Sequence, residues 1–242
     1  MKIDAYSLHY KVLNEKIREL VKSGYKKIYI ENVLGQRYIA AGLKEKGVEI
    51  YIDGIPGNDL ACFMDGAKIF VNGNCQDGVG NTMNSGEIII NGNTGDITGH
   101  SMRGGEIYIK GNVGYRVGIH MKAYKNLYPV IVIGGTAGDF LGEYMAGGLI
   151  IILNLEERDK VVGHLIGTGM HGGEIFIRGK VGDTIGKEVK IFKAEKDEIR
   201  RIKKYIEKFC NYFNNELEKI ISDEFIKLIP ISKRPYGKIY VY

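Results

Sequence analysis

Short apolar runs recur along this chain at a nearly constant spacing, separated by corners rich in glycine and asparagine. Ile69, Ile88 and Ile107 are each nineteen residues apart. That interval suits one β-branched strand with its corners and is too short for a strand plus a packed helix. The pattern predicts a mainly β fold, a parallel β-helix with coils of about 19 residues whose equivalent positions stack about 4.8 Å apart.

Six of the seven methionines share one column of this repeat. The first four of them, from Met64 to Met121, are each nineteen residues apart, and the two later intervals are longer. The extra residues are insertions at Lys122–Pro129 and Leu155–Val161. Because methionine fills irregular gaps in protein interiors, we interpret the column as core packing and not as a row of metal-binding thioethers.

Both faces of the predicted strands are apolar. Alternate side chains point to opposite faces. The predicted inward pairs are Ile69/Val71, Ile88/Ile90, Ile107/Ile109, Ile131/Ile133, Ile150/Ile152 and Ile175/Ile177. The outward column reads Tyr29, Tyr51, Phe70, Ile89, Tyr108, Val132, Ile151 and Phe176. Strands that are apolar on both faces are normally buried on both, so we expect another part of the chain or a partner to cover the outward column.

Two helical patterns flank the repeat. Apolar residues between Leu8 and Val21 predict an N-terminal helix that ends at Gly24 and caps the first coil, Ile28–Ile30. From Ala194 onward, apolar residues recur at steps of three and four. They predict a helix over Ala194–Ile221 that lies along the β-helix, or two shorter helices if the chain breaks near Asn214–Asn215.

The end of the chain carries further signals. Ser222–Glu224 is typical of a new helix N-cap, Arg234–Gly237 of a turn, and Ile239–Tyr242 of a strand. We therefore expect two parts: residues 1–192, the N-terminal helix with the β-helix, and residues 193–242, a basic helical tail that packs on the β-helix or on a partner.

Charge and cysteine content narrow the class of protein. All of the net charge of +5 lies in residues 187–242, where bases and acids are interleaved and no nucleic-acid motif occurs. This indicates a solvated helix face and no nucleic-acid partner. Three scattered cysteines make no disulfide framework. Cys75 shares a column with small inward residues, so we interpret it as a small buried residue. With no signal peptide and no apolar stretch of twenty residues, we expect a cytoplasmic protein that does not enter a membrane.

Several glycine and polar motifs imitate functional sites. Gly92–Gly95 and Gly111–Gly114 follow strands, but a dinucleotide site needs a helix to start there, and none fits within the repeat. We interpret these glycines as corner residues that allow positive φ and close stacking. Asp77, Asp96 and Asp139 share one corner column, where aspartate more often binds backbone N–H groups than calcium. For the five histidines we expect structural or surface roles; His164 and His171 could approach each other across a coil.

One segment carries a family resemblance. Gly138–Gly148, which reads GDFLGEYMAGG, resembles the C-terminal β-helix domain of the glutamate synthase large subunit, known as the GXGXG domain, and especially its stand-alone archaeal versions. Further matches in register are Gly35–Arg37, Gly57–Asp59, Val79–Met83, Met102–Gly105 and Gly169–Gly173. The resemblance extends from about Asp4 to Arg234–Gly237. The same domain type occurs in one of the subunits of formylmethanofuran dehydrogenase.

The resemblance implies a right-handed parallel β-helix with a structural role. In full-length glutamate synthase, separate domains hydrolyse glutamine and carry FMN with an iron–sulfur cluster. Here position 2 is Lys and not a nucleophilic cysteine, and no cysteine cluster is present. No catalytic residue is carried over, and we expect the chain itself to bind no cofactor and no metal.

Three functions follow as hypotheses. The first is a non-catalytic subunit that assembles with amidotransferase and FMN/iron–sulfur chains of a split glutamate synthase. The second is a structural subunit of a formylmethanofuran dehydrogenase-like complex. The third is an enzyme with a carboxylate site on the side wall, using Asp77, Asp96 and Glu143. The sequence leaves self-association open.

The two insertions are the candidate partner-binding loops, since insertions in solenoids often lie on a binding face. Tyr124 and Tyr128 in the first loop and Arg158 in the second have the composition of interfaces. The alternative is that these loops cover a seam of the coil or pack on the tail helix.

Overall fold

The structure, a computed structural model, describes residues 1–182 and 185–233. Its elements are β1 (Lys2–Asp4), α1 (Tyr10–Lys22), β2 (Lys27–Leu34), β3 (Glu49–Ile55), β4 (Asp65–Asn72), β5 (Ser85–Ile90), β6 (Gly105–Ile109), β7 (Pro129–Ile133), β8 (Ala146–Ile152), β9 (Gly172–Arg178), β10 (Val189–Lys193), α2 (Lys196–Phe213), α3 (Leu217–Ile221) and β11 (Phe225–Pro230).

The strands form a parallel stack, as the repeat predicts. From β1 to β9, each strand pairs in parallel with the next along the chain. Ile69 lies opposite Ile88, and Ile88 lies opposite Ile107, so residues nineteen apart are neighbours in space. The prediction of a parallel β-helix is confirmed.

The interior of the stack is built from the predicted columns. Ile88, Ile107 and Ile131 are each 0% exposed, and the six column methionines are also fully buried. Cys75 is buried beside Thr94, with which it forms an isolated parallel bridge. The interpretations of the methionines as core packing and of Cys75 as a small buried residue are therefore confirmed.

The corners use glycine mainly for close approach between coils. A Cβ atom at Gly92 would lie 2.4 Å from the carbonyl oxygen of Gly73, and one at Gly111 would lie 2.1 Å from Asn93 Oδ1. Positive φ, in contrast, is not reserved for glycine. Thr82, Ser101 and His120 hold φ values of 55°, 52° and 55° at equivalent corners. The chain passes from β5 through these corners to β6 without starting a helix, so the dinucleotide motif is absent there.

The N-terminus caps the first coil as predicted and adds a strand that was missed. Helix α1 ends at Lys22, and Gly24 follows with a φ of 89°. Arg18 of α1 donates a hydrogen bond of 3.1 Å to the carbonyl oxygen of Ala41 in a coil corner. Strand β1 pairs with Tyr29–Glu31 in the middle of β2, which places a short strand at the N-terminal edge of the sheet.

The tail forms two helices and not one. Asn214 has a left-handed φ of 55°, and its backbone N–H bonds to the carbonyl oxygen of Cys210, which ends α2. The prediction of one helix over Ala194–Ile221 is wrong, and the alternative with a break near Asn214–Asn215 is confirmed. The helix α2 packs its apolar stripe against the outward face of the sheet, since its buried residues share a cluster with the outward column.

A strand follows α3 where a helix was predicted. Ser222 is the C-cap of α3 and no helix starts at Ser222–Glu224, so the prediction of an N-cap there is wrong. Strand β11 lies between β9 and β10 and pairs antiparallel with both. The predicted turn at Arg234–Gly237 and the strand-like end Ile239–Tyr242 lie outside the described residues. The division at residue 192 stays a prediction.

Candidate partner-binding surfaces

The outward column of the sheet is covered by the chain's own tail over five of its members. These members are 5% exposed or less and are Ile89, Tyr108, Val132, Ile151 and Phe176. The side chains that cover them come from the buried stripe of α2, which includes Ile202, Ile206 and Phe209. The apolar column of β5–β9 is therefore an internal interface.

A polar network at the rim of this interface fastens α2 to the sheet. Lys208 donates to Glu87 at 2.9 Å and to Glu106 at 2.7 Å. The Tyr212 hydroxyl donates to Glu87 at 2.6 Å, and Lys68 pairs with the same carboxylate at 2.9 Å. Burial alone would raise the pKa of Glu87, but the hydrogen bonds from Tyr212, Lys68 and Lys208 outweigh it and lower the pKa to about 2.

The lowered pKa predicts that Glu87 stabilises the fold in a pH-dependent way. Because the folded-state pKa is about 2 and the ordinary value is 4.5, the contribution is present above about pH 4.5 and is lost as the pH falls towards 2. Glu87→Gln should lower the free energy of unfolding at pH 7 by about 1–3 kcal/mol. The difference from the parent should shrink between pH 4.5 and 2, as measured by urea unfolding.

The matched control is Glu156→Gln, because Glu156 is exposed and pairs with Arg158 at the surface. This variant should stay within about 0.5 kcal/mol of the parent at every pH. A loss in Glu87→Gln that did not change between pH 7 and 2 would mean that the charge of Glu87 is not what stabilises α2.

The first three members of the outward column are only partly covered, with Phe70 meeting the ring of Tyr212 edge-on at 6.4 Å at the end of α2. Tyr29 and Tyr51 stack with ring centroids 4.9 Å apart, and Tyr51 and Phe70 stack at 4.8 Å. These rings line a groove of about 480 Å³ whose other wall is the end of α2, at Tyr212 and Phe213. Tyr29 is 39% exposed. We call Tyr29, Tyr51 and Phe70 the open aromatic section.

The first insertion stands beside the tail. Tyr124 is 49% exposed and forms a small antiparallel bridge with Leu127, and Tyr128 is 44% exposed. Partial burial, together with the nearby carboxylate of Glu174, raises the pKa of Tyr128 to about 12, while Arg201 of α2 opposes this shift. Tyr128 thus lies close to the tail helix. That position fits the alternative interpretation of this loop, and binding of a partner by Tyr124 and Tyr128 stays a prediction.

The second insertion is fastened at the opposite end of the strands. Arg158 is paired with Glu156, and its backbone N–H donates to the side chain of the buried Asn154. Next to it, Arg178 is 5% exposed and donates to the carbonyl oxygen of Leu153 at 3.0 Å and to Asp223 at 2.6 Å. The first insertion precedes β7 and the second follows β8, so the structure does not bring Tyr124 and Tyr128 together with Arg158.

The side-wall carboxylates bind their own chain. Asp77 Oδ1 accepts a hydrogen bond of 2.8 Å from the backbone N–H of Asp96, and Asp96 Oδ1 accepts one of 2.8 Å from Tyr115. Asp139 Oδ1 accepts one of 2.7 Å from His164. The interpretation that corner aspartates satisfy backbone N–H groups is confirmed. Glu143 is 6% exposed and is paired with Arg116.

The wall beyond these corners is rich in rings. Arg116 lies over the ring of Phe140 at 4.4 Å, and His120 stacks on Tyr144 at 5.3 Å. The rings of His100 and His120 meet edge to face, with centroids 6.1 Å apart.

In the described residues, no three His, Cys, Asp or Glu side chains form a group that could hold a metal ion. No helix in that part of the chain is long and apolar enough to span a membrane.

Comparison with known proteins agrees with this architecture. The model of the GXGXG motif family matches residues 15–231, which is most of the sequence. The chain belongs to the GXGXG motif family. A relative of this GXGXG protein, an uncharacterized protein of Methanocaldococcus jannaschii, is 52% identical over 248 residues and covers 98% of this chain and 95% of its own.

A solved structure is similar to this GXGXG protein in fold. It is a chain in the crystal structure of the formyltransferase/hydrolase complex from Methylorubrum extorquens in complex with methylofuran. The TM-score is 0.63 at 20% identity, and the match covers 83% of this chain and 72% of that one. At this identity the likeness shows the fold.

Sequence reasoning missed the residues that hold the tail in place. Glu87 and Lys208 are 121 residues apart in sequence, and Arg178 and Asp223 are 45 apart. One signal was present: Glu87, Glu106 and Glu174 share one column of the repeat, each just before the apolar residues of its strand. Each of these carboxylates pairs with a basic residue of α2. The period of the repeat identifies these three acids as one column, but it does not identify the basic residues that bind them.

Proposed function

We propose that this GXGXG protein is a cytoplasmic, non-catalytic subunit that scaffolds a multi-protein enzyme. The partners we propose are the amidotransferase chain and the FMN/iron–sulfur chain of a split glutamate synthase. Support comes from membership of the GXGXG motif family along most of the sequence. Further support comes from the resemblance of Gly138–Gly148 and its companion motifs to the glutamate synthase domain.

The observation that carries the proposal is the open aromatic section. A column of apolar side chains normally lies beneath something, and here α2 ends at Phe213 before it reaches Tyr29 and Tyr51. Stacked aromatic rings at the end of a covered apolar strip are typical of protein-binding hot spots. The groove beside them is bounded by polar side chains, including Asp53 and Asn72, as interface rims are.

The carboxylates of the side wall argue against the alternative of a self-sufficient enzyme. A glycoside-type site needs two free carboxyl groups that face a groove. Asp77 and Asp96 instead bind backbone N–H groups of the next coil, and Glu143 is buried with Arg116. A side-wall active site built from these three residues is therefore a poor fit to the geometry.

A second candidate complex is a formyltransferase/hydrolase or formylmethanofuran dehydrogenase-like assembly. The observation that favours it is the similar fold of a chain in the Methylorubrum extorquens complex, with a TM-score of 0.63. In both candidates the β-helix contributes surface and no reacting group. The two differ in the chains that bind.

Reconstitution with purified chains tests the proposal. The chain should co-elute in size-exclusion chromatography with the amidotransferase and FMN-barrel chains of its organism, and it should be colourless when purified alone. Tyr29→Ala together with Tyr51→Ala should weaken the affinity by about tenfold or more, because hot-spot aromatics carry much of the binding energy. The parallel variant Tyr124→Ala with Tyr128→Ala tests the insertion loop.

Tyr6→Ala with Tyr25→Ala is the matched control, since both tyrosines are exposed at other places, at 75% and 43%. The loop variant and the control should melt close to the parent. Tyr29→Ala with Tyr51→Ala also removes the stacking of Tyr51 on Phe70 and its hydrogen bond to Glu49, so its binding is measured well below its own melting temperature. If only the loop variant lost binding, the interface would lie at the first insertion. If the wild-type chain bound formyltransferase or hydrolase chains and not the glutamate synthase chains, the second candidate would replace the first. A visible flavin spectrum in the purified chain would contradict a non-catalytic role.

A further inference from the structure

Among the residues that the structure describes, the last strand of the sheet has an open edge. Strand β10 pairs with β11 on one side, and it ends the strand order of the described residues. Val189 is buried, but Ile191 is 39% exposed and Phe192 is 46% exposed. An edge strand with unpaired backbone groups and exposed apolar side chains is a template for a further strand.

The inward and the outward column of side chains along the sheet both end at β10. On the inward face, Ile191 lies opposite Leu228, which lies opposite Ile175, and the last two are fully buried. On the outward face, Phe192 lies opposite Lys227, which lies opposite Phe176. Ile191 is therefore the last member of the inward apolar column, and Phe192 is the last member of the outward column, in which Lys227 is the one charged side chain between Phe176 and Phe192. A strand at the next step, about 4.8 Å away, would bury both.

We propose that this edge binds the β10 strand of a second copy of the chain, antiparallel and centred on Ile191. The strand reads VKIFK and is complementary to itself in this register. Ile191 would face Ile191 of the second copy, Lys190 would face its Phe192, and Val189 would face its Lys193. The contact has two-fold symmetry and closes as a dimer, because each copy offers the same edge.

Repulsion between lysines disfavours two of the neighbouring registers. Lysine on an edge strand usually discourages pairing, because like charges meet. An antiparallel register centred on Lys190 or on Lys193 would place two lysines opposite each other, which is destabilising. Centred on Ile191, each Lys190 instead lies beside an aromatic ring of the other copy, and cation–ring contacts are favourable. The inference does not depend on the partner chains proposed above.

Cysteine cross-linking tests both the dimer and its register. Sedimentation of the full chain should show a dimer, and Ile191→Cys should form an intermolecular disulfide because two equivalent residues meet at the symmetry axis. Lys190→Cys mixed with Phe192→Cys should give a mixed dimer. Each of these two variants alone should cross-link about tenfold less, since its own pair lies beyond the usual disulfide span. The native Cys62, Cys75 and Cys210 are buried and should stay reduced.

Two further variants complete the test. Ile191→Asp places two carboxylates opposite each other and should raise the dimer dissociation constant about tenfold or more. Leu34→Asp, at an exposed residue near the other end of the stack, should not change it. A chain that ends at Lys233 should still form the dimer.

Three results would overturn the proposal. The first is a wild-type chain that stays monomeric up to millimolar concentration. The second is a dimer that neither Ile191→Asp nor the cross-linking pattern affects. The third is a monomer that becomes a dimer only after residues 234–242 are removed, which would mean that the chain's own end occupies the edge.

Discussion

Ile107→Asp should leave the protein unfolded or insoluble. Ile107 is 0% exposed in the middle of the inward column, between Ile88 and Ile131. An unpaired carboxylate there costs several kcal/mol, or its pKa rises until it is neutral. Since the free energy of unfolding of a domain is about 5–15 kcal/mol, one such change removes a large part of it. The soluble yield and the far-ultraviolet circular dichroism melt measure the effect.

Two controls isolate burial of charge as the cause. Ile107→Val removes one methyl group from the same site and should cost about 0.5–1.5 kcal/mol. Lys110→Asp places the same carboxylate at an exposed position just after the same strand, and it should melt within a few degrees of the parent. A soluble Ile107→Asp variant that melted like the parent would show that this column is not interior.

Phe209→Ala should give the largest loss of stability among changes in the tail. Phe209 is 0% exposed between α2 and the sheet, and its ring lies so close to Gly134 that a Cβ atom there would be 2.8 Å from it. Removing the ring leaves a cavity that rigid strands on one side cannot fill. We expect the free energy of unfolding, measured in urea, to fall by about 3–5 kcal/mol.

The comparison variant is Phe213→Ala. Phe213 contacts Phe209 at a centroid distance of 4.7 Å but is only partly buried at the end of α2. Its loss should cost less than half as much, because less surface leaves water on folding. If Phe209→Ala cost under about 1 kcal/mol, α2 would not be docked on the sheet as a stable element, and the covered part of the outward column would need another explanation.

The repeat was predictable because each of its contacts links residues one period apart. Any position in a coil packs on the same position in the next, so an apolar column such as Ile69, Ile88 and Ile107 can be recognised in the sequence itself. The N-terminal helix was predictable for a similar reason. Its apolar spacing and the Gly24 that follows it are local signals.

The elements at both ends were harder to predict. Phe225–Pro230 is a short apolar run, which periodicity alone cannot assign to strand or helix. It becomes a strand because β9 and β10 offer it backbone partners on both sides. Strand β1 has only three residues and depends in the same way on β2. Neither strand pairing can be recognised from the local sequence.

The candidate surfaces were also predictable only in part. The sequence indicated that the outward column must be covered, and it named Tyr124, Tyr128 and Arg158 as candidates for a partner contact. It could not say that α2 covers β5–β9 and stops before Tyr29 and Tyr51. That outcome depends on Asn214, whose left-handed conformation ends the helix, and on Lys208, which fastens the helix to Glu87.

By itself, the sequence determined the parallel β-helix, its inward columns and its two apolar faces, because those features repeat a short-range pattern that every coil obeys. Only the tertiary structure decided where the tail helix ends, which part of the outward column stays open and which strand lies at the C-terminal edge. These outcomes depend on contacts between residues as far apart as Glu87 and Lys208, 121 positions, and such contacts have no period in the sequence.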